Sequence, residues 1–412
     1  MKPDLPVARR GYDVVVVGRG IVGSSVALRC ARAGARVAVV DSSALGQATA
    51  AGAGIIAPVG LGGDEVGDSW TALVGSAIDF YRRLLDGLEN SDHGDPGFAR
   101  VGEVVVATRE EDHPALEQLA ARLELLGERG VDLGGVSRLR GRDLTGAWPE
   151  LSPDLQGLHI ENVGRVDGRR MQARLEAAAT AAGAVFLAGD ATLRLVGNRT
   201  ELRVDGRTMP AGSVVVATGA WSQPVLRELG VEVSVRPVRG QIMHLHVPDA
   251  DSERRPVVNT FEGHYFLGFP GQRIVTGATH EPEAGFDHRV TAGGLCSVLE
   301  RVLRIAPGLA GATVVETRVG FRPQSSDGYP IVGRSPATRD VVVATGLGAW
   351  GLTLGPLIGQ VAAEQALDLP VSFDADFLNP ARDPITSPPL VPHAPMTTGA
   401  KLAQKNLEGT RS

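Results

Sequence analysis

Lysine is almost missing from this chain: only Lys2, Lys401 and Lys405 occur, so arginine supplies the other 38 of its 41 basic residues. With no lysine between the two ends, Schiff-base chemistry of the pyridoxal or aldolase kind is excluded, because it needs an amine desolvated in the core. Cysteine is equally scarce. Cys30 and Cys296 alone cannot build a disulfide framework or a cysteine metal site, and Cys30 reads as a small buried hydrophobe within a helix. There is no excess of positive charge either: the formal net charge is -6, without the basic stripe that nucleic acid requires. No apolar run approaches the roughly 20 residues of a membrane span. The opening Met1-Lys2-Pro3-Asp4 leads through Arg9 and Arg10 into the first strand without a signal-peptide apolar region, so a cytoplasmic location is expected. What is present, 412 residues with 43% hydrophobic and 21% charged side chains, describes a globular protein of about two domains.

Near the start, the run Asp13 to Val17 passes into Gly18-Arg19-Gly20-Ile21-Val22-Gly23, and a second apolar run, Val37 to Val40, closes on Asp41. The spacing is that of a strand-helix-strand unit holding a dinucleotide. Gly18 permits the tight turn, Gly20 lets backbone amides approach a pyrophosphate, and Gly23 lets the helix pack against the strand. The helix N-terminus faces the phosphates, and Asp41 accepts hydrogen bonds from the adenosine ribose, which argues against a 2′-phosphate there.

Alternation of strands and helices continues, with helices expected at about Val22 to Ala33, Ser69 to Leu88, Pro114 to Arg129, Arg169 to Ala182, Ala292 to Ile305 and Pro356 to Leu367. The segment Gln47 to Pro58 is too rich in small residues to build core, and its backbone is free to line a cofactor. The strand Gly102 to Ala107 marks the start of another domain. Val214 to Val216 ends in Ala217-Thr218-Gly219, which suggests backbone passing close to a ligand. From Val235 to about Val319 the pattern is strand-rich, with strands expected at Gly240 to Val247 and Tyr265 to Thr276. Gly346 to Thr353 then precedes the last helix, a second anion-facing terminus. The proline-rich segment after Asn379 is expected to be a disordered tail.

Taken together, these residues resemble the glycine oxidase and D-amino acid oxidase group of FAD-dependent oxidoreductases over roughly residues 10 to 380. The resemblance rests on the fingerprint, Ala51 to Pro58, Gly164-Arg165-Val166-Asp167, Ala217 to Ser222 and Arg236 to Gln241. It continues through Gly277 to Glu281 with Gly285-Phe286-Asp287, Gly320-Phe321-Arg322-Pro323 with Asp327-Gly328, and Gly346 to Thr353. The stretch Gly277 to Asp287 looks most like the glycine oxidases of the thiamine pathway. The resemblance implies an α/β plus α+β fold, a Rossmann-type FAD-binding domain (residues 10–90, 150–231 and 319–383) interleaved with an antiparallel-sheet substrate domain (91–149 and 232–318), and a tail from 384 to 412. It implies amine dehydrogenation: a small amino acid or amine of the glycine, sarcosine or D-amino acid type gives its Cα hydride to flavin N5, and the imine hydrolyses. Oxygen, a quinone or a dye accepts the electrons.

The same resemblance assigns FAD to Gly18, Gly20, Ile21, Val22, Gly23, Asp41, Ser42, Ala48, Thr49, Ala53, Gly54, Ile55, Thr192, Gly219, Leu347, Gly348, Ala349, Trp350, Gly351, Leu352 and Thr353. Covalent attachment in the related sarcosine oxidases uses a cysteine near the Asp-Gly turn, and Gln324-Ser325-Ser326-Asp327 has none, so noncovalent FAD is expected. Arg322 is the carboxylate-binding candidate, since a planar guanidinium matches a carboxylate bidentately; a structural ion pair is the alternative. Tyr265 is either its partner on the carboxylate or an aromatic on a sheet face. His264 and His280 tune amine protonation or are structural, and His244 with His246 read as structural rather than metal ligands. A possible homo-oligomer is left open. Three rivals also stand: a nicotinamide dehydrogenase, a flavin dehydrogenase passing electrons to a quinone or partner protein, and a non-catalytic flavoprotein subunit.

Overall fold

In the computed structural model, residues 11–60, 68–89, 94–248 and 251–385 are described. The first apolar strand, Tyr12–Val17, is buried except at Asp13 and sits inside a six-stranded sheet, as a continuous Val run requires. Parallel neighbours flank it, Val37–Asp41 on one side and Ala211–Val216 on the other, and Val185–Ala188 and Val341–Thr345 extend the parallel set. Ile331–Arg334 closes one edge antiparallel. The chain leaves the first strand in one direction and returns on the other side only after Ala211, which makes a topological switch point at the strands' carboxyl ends.

Helices Ile21–Arg32, Asp68–Glu89, Gly168–Ala181 and Gly351–Ala366 pack their apolar residues on one face of this sheet, while a small three-stranded sheet, Ala191–Val196, Arg199–Val204 and Arg207–Thr208, covers the other. Gly23 lets the first helix approach, since a Cβ there would lie 1.9 Å from the Gly18 carbonyl oxygen. Gly18 itself takes φ +101°, the turn its position demands.

The second large sheet has eight strands, in the order Thr313–Ser325, Val235–His246, Arg273–Gly277, Tyr265–Phe269, Val257–Thr260, Glu103–Ala107, Gln156–Ile160 and Val136–Arg140. All neighbours are antiparallel except Val257–Thr260 with Glu103–Ala107. One face packs against helix His113–Glu128 and the other against Arg142–Ala147 and Ala292–Ile305.

Some expectations need correction. Tyr265 to Thr276 is a hairpin, because Gly271 and Gln272 both adopt positive φ and turn the chain. The last helix starts at Gly351, not Pro356: Gly355 packs on Ile21 and holds the preceding turn helical, leaving Pro356 inside. Strand Gln156–Ile160, expected in the cofactor-binding segment 150–231, pairs in the eight-stranded sheet, and Thr313–Ser325 runs across the expected boundary at 318/319. Most of the expected tail, from 386 on, lies outside the described residues.

Candidate active site

One elongated cavity runs from the carboxyl end of Tyr12–Val17 to the inner face of the eight-stranded sheet. At its first end, Gly18, Gly20 and Ile21 line it at the N-terminus of the first helix, and Asp41 lies beside them at the end of the next strand. The Asp41 carboxylate is fixed by three donors: Arg19 N at 2.9 Å to Oδ2, and Ser43 N at 2.7 Å and Gln47 Nε2 at 3.0 Å to Oδ1. Each carboxylate oxygen carries two lone pairs, so Oδ1 is filled and Oδ2 of the oriented acid keeps one accepting site for a ribose hydroxyl. The Arg19 guanidinium is occupied by Glu176, at 3.0 Å, rather than left for a phosphate. Thr49 accepts from Ile21 N at 2.9 Å and ties the small-residue segment to the helix start.

Farther along, Ala48, Ala53, Gly54, Ile55 and Gly219 line the walls, with Leu347 to Thr353 opposite. Gly351 begins a 16-residue helix whose first residues border the cavity, so the partial positive charge of its N-terminus is directed there. The donor set is that of a dinucleotide cradle: unhindered amides at a helix start, a fixed acid one strand away, and side chains too small to fill the groove. FAD fits these residues.

The second end is built by strand alternation. In Val235–His246, Val238, Gly240 and Ile242 share a face, and Val238 stands opposite Arg322 in the neighbouring strand. The Arg322 side chain lies over Gly240, where a Cβ would come 2.4 Å from Nη1 and 2.7 Å from Cζ. Nη1 donates to the Thr279 carbonyl at 3.2 Å, and the guanidinium also hydrogen-bonds the Tyr265 phenol. Thr279 is itself anchored, its hydroxyl donating to Glu281 at 2.5 Å and accepting from Gln241 N at 2.9 Å. Arg239 closes the network onto Glu281 and Asp287. Burial pushes the Tyr265 hydroxyl up to about 12, with the Arg322 charge opposing it, so Tyr265 is a neutral hydrogen-bonding group. No carboxylate of the described residues is paired with Arg322 in an ion pair, so its guanidinium meets the cavity with its charge uncompensated at contact distance.

Of the other sequence-named residues, Gly23 packs behind the turn instead of lining the cavity. Thr192 is a correction: it is exposed on its hairpin, and Gly189, Asp190 and Ala191 line the wall instead. His264 is another, because alternation sends it to the opposite face from Tyr265, where its Nε2 lies 3.0 Å from Thr276 Oγ1. Burial pushes it down to about 3, helped by Arg301 and Arg304, so it stays neutral. His280 is half-buried and lowered by burial and by Arg322, yet it is not part of the lining. His244 is buried beside Arg273 and Glu316, and the described residues contain no group of three metal-ligating side chains.

Sequence reasoning passed over Glu103 and Asn259, which line the cavity beside Tyr265. A single acid opening an otherwise apolar strand, Glu103-Val104-Val105-Val106-Ala107, was the available signal: a charge at a core position needs a reason.

A family model described as "DAO: FAD dependent oxidoreductase" matches residues 13–365. The "Uncharacterized oxidoreductase YurR" of Bacillus subtilis (strain 168) is 38% identical over 369 residues, covering 89% of this chain and 98% of the relative. The crystal structure of an iminodiacetate oxidase (IdaA) from Chelativorans sp. BNC1 superposes with a TM-score of 0.85 at 37% identity, covering 90% of this chain and 100% of that one. The crystal structure of glycine oxidase from Geobacillus kaustophilus gives a TM-score of 0.82 at 28% identity, with 90% and 99% covered.

Proposed function

Because the chain belongs to the DAO family of FAD-dependent oxidoreductases, we propose that it oxidises the Cα–N bond of a small amino acid or amine that carries a carboxylate. It is an enzyme that uses FAD, as the resemblance to glycine oxidases implied, which leaves no place for the nicotinamide and non-catalytic readings. The observation that carries the substrate reading is Arg322: a guanidinium steered by Gly240, Thr279 and Tyr265 into the far end of a cavity whose near end is a dinucleotide cradle.

FAD, when bound, supplies the acceptor for a hydride. The protein's own part is placement. Arg322 and the Tyr265 hydroxyl receive the substrate carboxylate together, and two anchors on one carboxylate fix the orientation of Cα beyond it. Ile242 and the sheet behind it exclude water from that end, which strengthens the pairing. The positive end of the Gly351–Ala366 helix favours negative charge accumulating next to it. Neither cysteine lines the cavity, Cys30 being buried in the first helix and Cys296 exposed, so no cysteinyl link to the cofactor forms.

The reading is tested by product analysis. Holoenzyme supplied with an electron acceptor and with glycine, N-methylglycine, iminodiacetate or D-alanine should release an oxo acid and an amine or ammonia in equal amounts from at least one of them. Turnover that yields an oxo acid from a hydroxy acid, with no nitrogen compound released, would replace this reading by C–O oxidation.

A further inference from the structure

We propose that Glu103 is the amine-side residue of this site, holding the substrate ammonium through its free Oε2 and accepting one proton from it before the Cα–N bond is oxidised. The proposal rests on the amine-oxidation reading given above.

Glu103 opens the strand Glu103–Ala107 on the sheet face that carries Val257 and Ile160 as its paired neighbours. It is 1% exposed and lines the cavity. Its Oε1 accepts from Asn259 Nδ2 at 3.1 Å, whereas Oε2 has no hydrogen-bond partner among the described residues. A buried carboxylate oxygen left unmatched is costly, and the fold gains nothing from it. Glu103 is part of the cavity wall, so a donor held in the cavity is placed to meet that oxygen.

The same cavity wall carries an acid, Glu103, and a cation, Arg322. Asn259 stands opposite Tyr265 in the adjacent strand, and Tyr265 hydrogen-bonds Arg322. Glu103 and Tyr265 thus sit two strands apart and two residues out of line, roughly 12 Å at the backbone, with their side chains on one face. Two hydrogen bonds and the few ångströms between a carboxylate and an α-amine span such a gap. The wall offers a cation for the carboxylate and an acid for the ammonium, the complement of a zwitterion.

The facing groups make proton acceptance workable. Asn259, Tyr265 and Arg322 come from the packed strands on the cavity side, and of these only Arg322 is charged. Burial pushes Glu103 up to about 7, opposed by the Asn259 hydrogen bond, so it exchanges a proton near neutrality. In the step, one ammonium N–H bond breaks and one Oε2–H bond forms. The nitrogen keeps the electron pair, and with it the lone pair that assists hydride departure from Cα.

The test uses holoenzyme, wild type and Glu103→Gln, with Glu103→Asp as a second variant that keeps the acid. Glycine, N-methylglycine, iminodiacetate, D-alanine and L-proline are titrated anaerobically against the amine-free acetate and propionate, reading ligand-induced changes in the flavin spectrum and then the rate of bleaching. Wild type should bind at least one amine tightly relative to its amine-free match, and Glu103→Gln should lose that preference while acetate affinity stays within about twofold. Bleaching by the preferred amine should slow by roughly 100-fold or more and lose its ionisation near pH 7, as removal of a general base does, with Glu103→Asp restoring part of both. If wild type prefers an amine, loses the preference in Glu103→Gln and bleaches with none, the amine site stands and the oxidation reading fails. If amines bleach both proteins alike, or if affinity for iminodiacetate rises below pH 7 in wild type only, Glu103 is not the amine acceptor and the oxidation reading survives without it.

Discussion

A single methyl group at Gly240 should disable the carboxylate grip while leaving the cofactor in place. In Gly240→Ala the new Cβ would lie 2.4 Å from Arg322 Nη1 and 2.7 Å from both Cζ and Nη2. Ordinary contacts are about 3.5 Å or more, so the guanidinium must retreat by about 1 Å. The bond to the Thr279 carbonyl is already 3.2 Å long and does not survive that shift. Losing the aimed geometry of one charged hydrogen bond costs about 1.5 to 3 kcal/mol, or roughly 10- to 150-fold in carboxylate affinity. Acetate titrated into holoenzyme, followed by the flavin spectrum, reads this directly without needing the true substrate. Arg322→Ala should weaken acetate at least as much, and adding Gly240→Ala to it should change little, because both act on the same group. Gly75→Ala is the control, since a Cβ there meets nothing within 4 Å. FAD content should be unchanged in all of them. Acetate affinity within twofold of wild type in Gly240→Ala would refute the assignment of Arg322 as the carboxylate anchor.

Three further outcomes are expected. Asp41→Ala should lower FAD affinity more than Ser42→Ala, because Arg19, Ser43 and Gln47 orient the Asp41 carboxylate to accept from the ribose; equal retention on a desalting column would count against it. Acid precipitation should release all FAD to the supernatant, as both cysteines lie off the cavity; yellow colour in the pellet would show a covalent link. Glu103 should make stability fall with pH. Its folded value of about 7 lies above the unfolded value of 4.5, so the native state binds more protons between them, stability is full below about 4.5, and about 3 kcal/mol is lost by the time pH passes 7. Glu103→Gln removes that loss, and its thermal midpoint should rise relative to wild type as pH goes from 5 to 8; parallel midpoints would show that Glu103 is not a buried titrating acid.

The sequence carried the dinucleotide end most legibly, for a local reason. Gly18, Gly20, Gly23 and Asp41 act within one strand-helix-strand unit, and their spacing is itself the structure. Arg322 and Tyr265 were visible only as residue types, and what aims them is nonlocal: Gly240 beneath the guanidinium and Thr279 held by Glu281 come from strands separated widely in sequence. His264 was misplaced because its side of the sheet depends on a hairpin register that the run Tyr265 to Thr276 concealed. Glu103 was passed over because its strand pairs with Val257–Thr260, more than a hundred residues away, and only that pairing brings Asn259 and Tyr265 beside it. Thr192 failed for a smaller reason, a shift of the lining wall to Gly189, Asp190 and Ala191 just before the hairpin.

Oxidation at a carbon bearing nitrogen next to a carboxylate is read without intermediaries by anaerobic bleaching of the flavin in the purified holoenzyme. Small amino acids and N-substituted glycines are set against the hydroxy acids glycolate and lactate, which share the carboxylate and lack the amine. At least one of the amines should remove the visible flavin absorbance, and neither hydroxy acid should. Bleaching by glycolate or lactate, or by no amine of the panel, would contradict it.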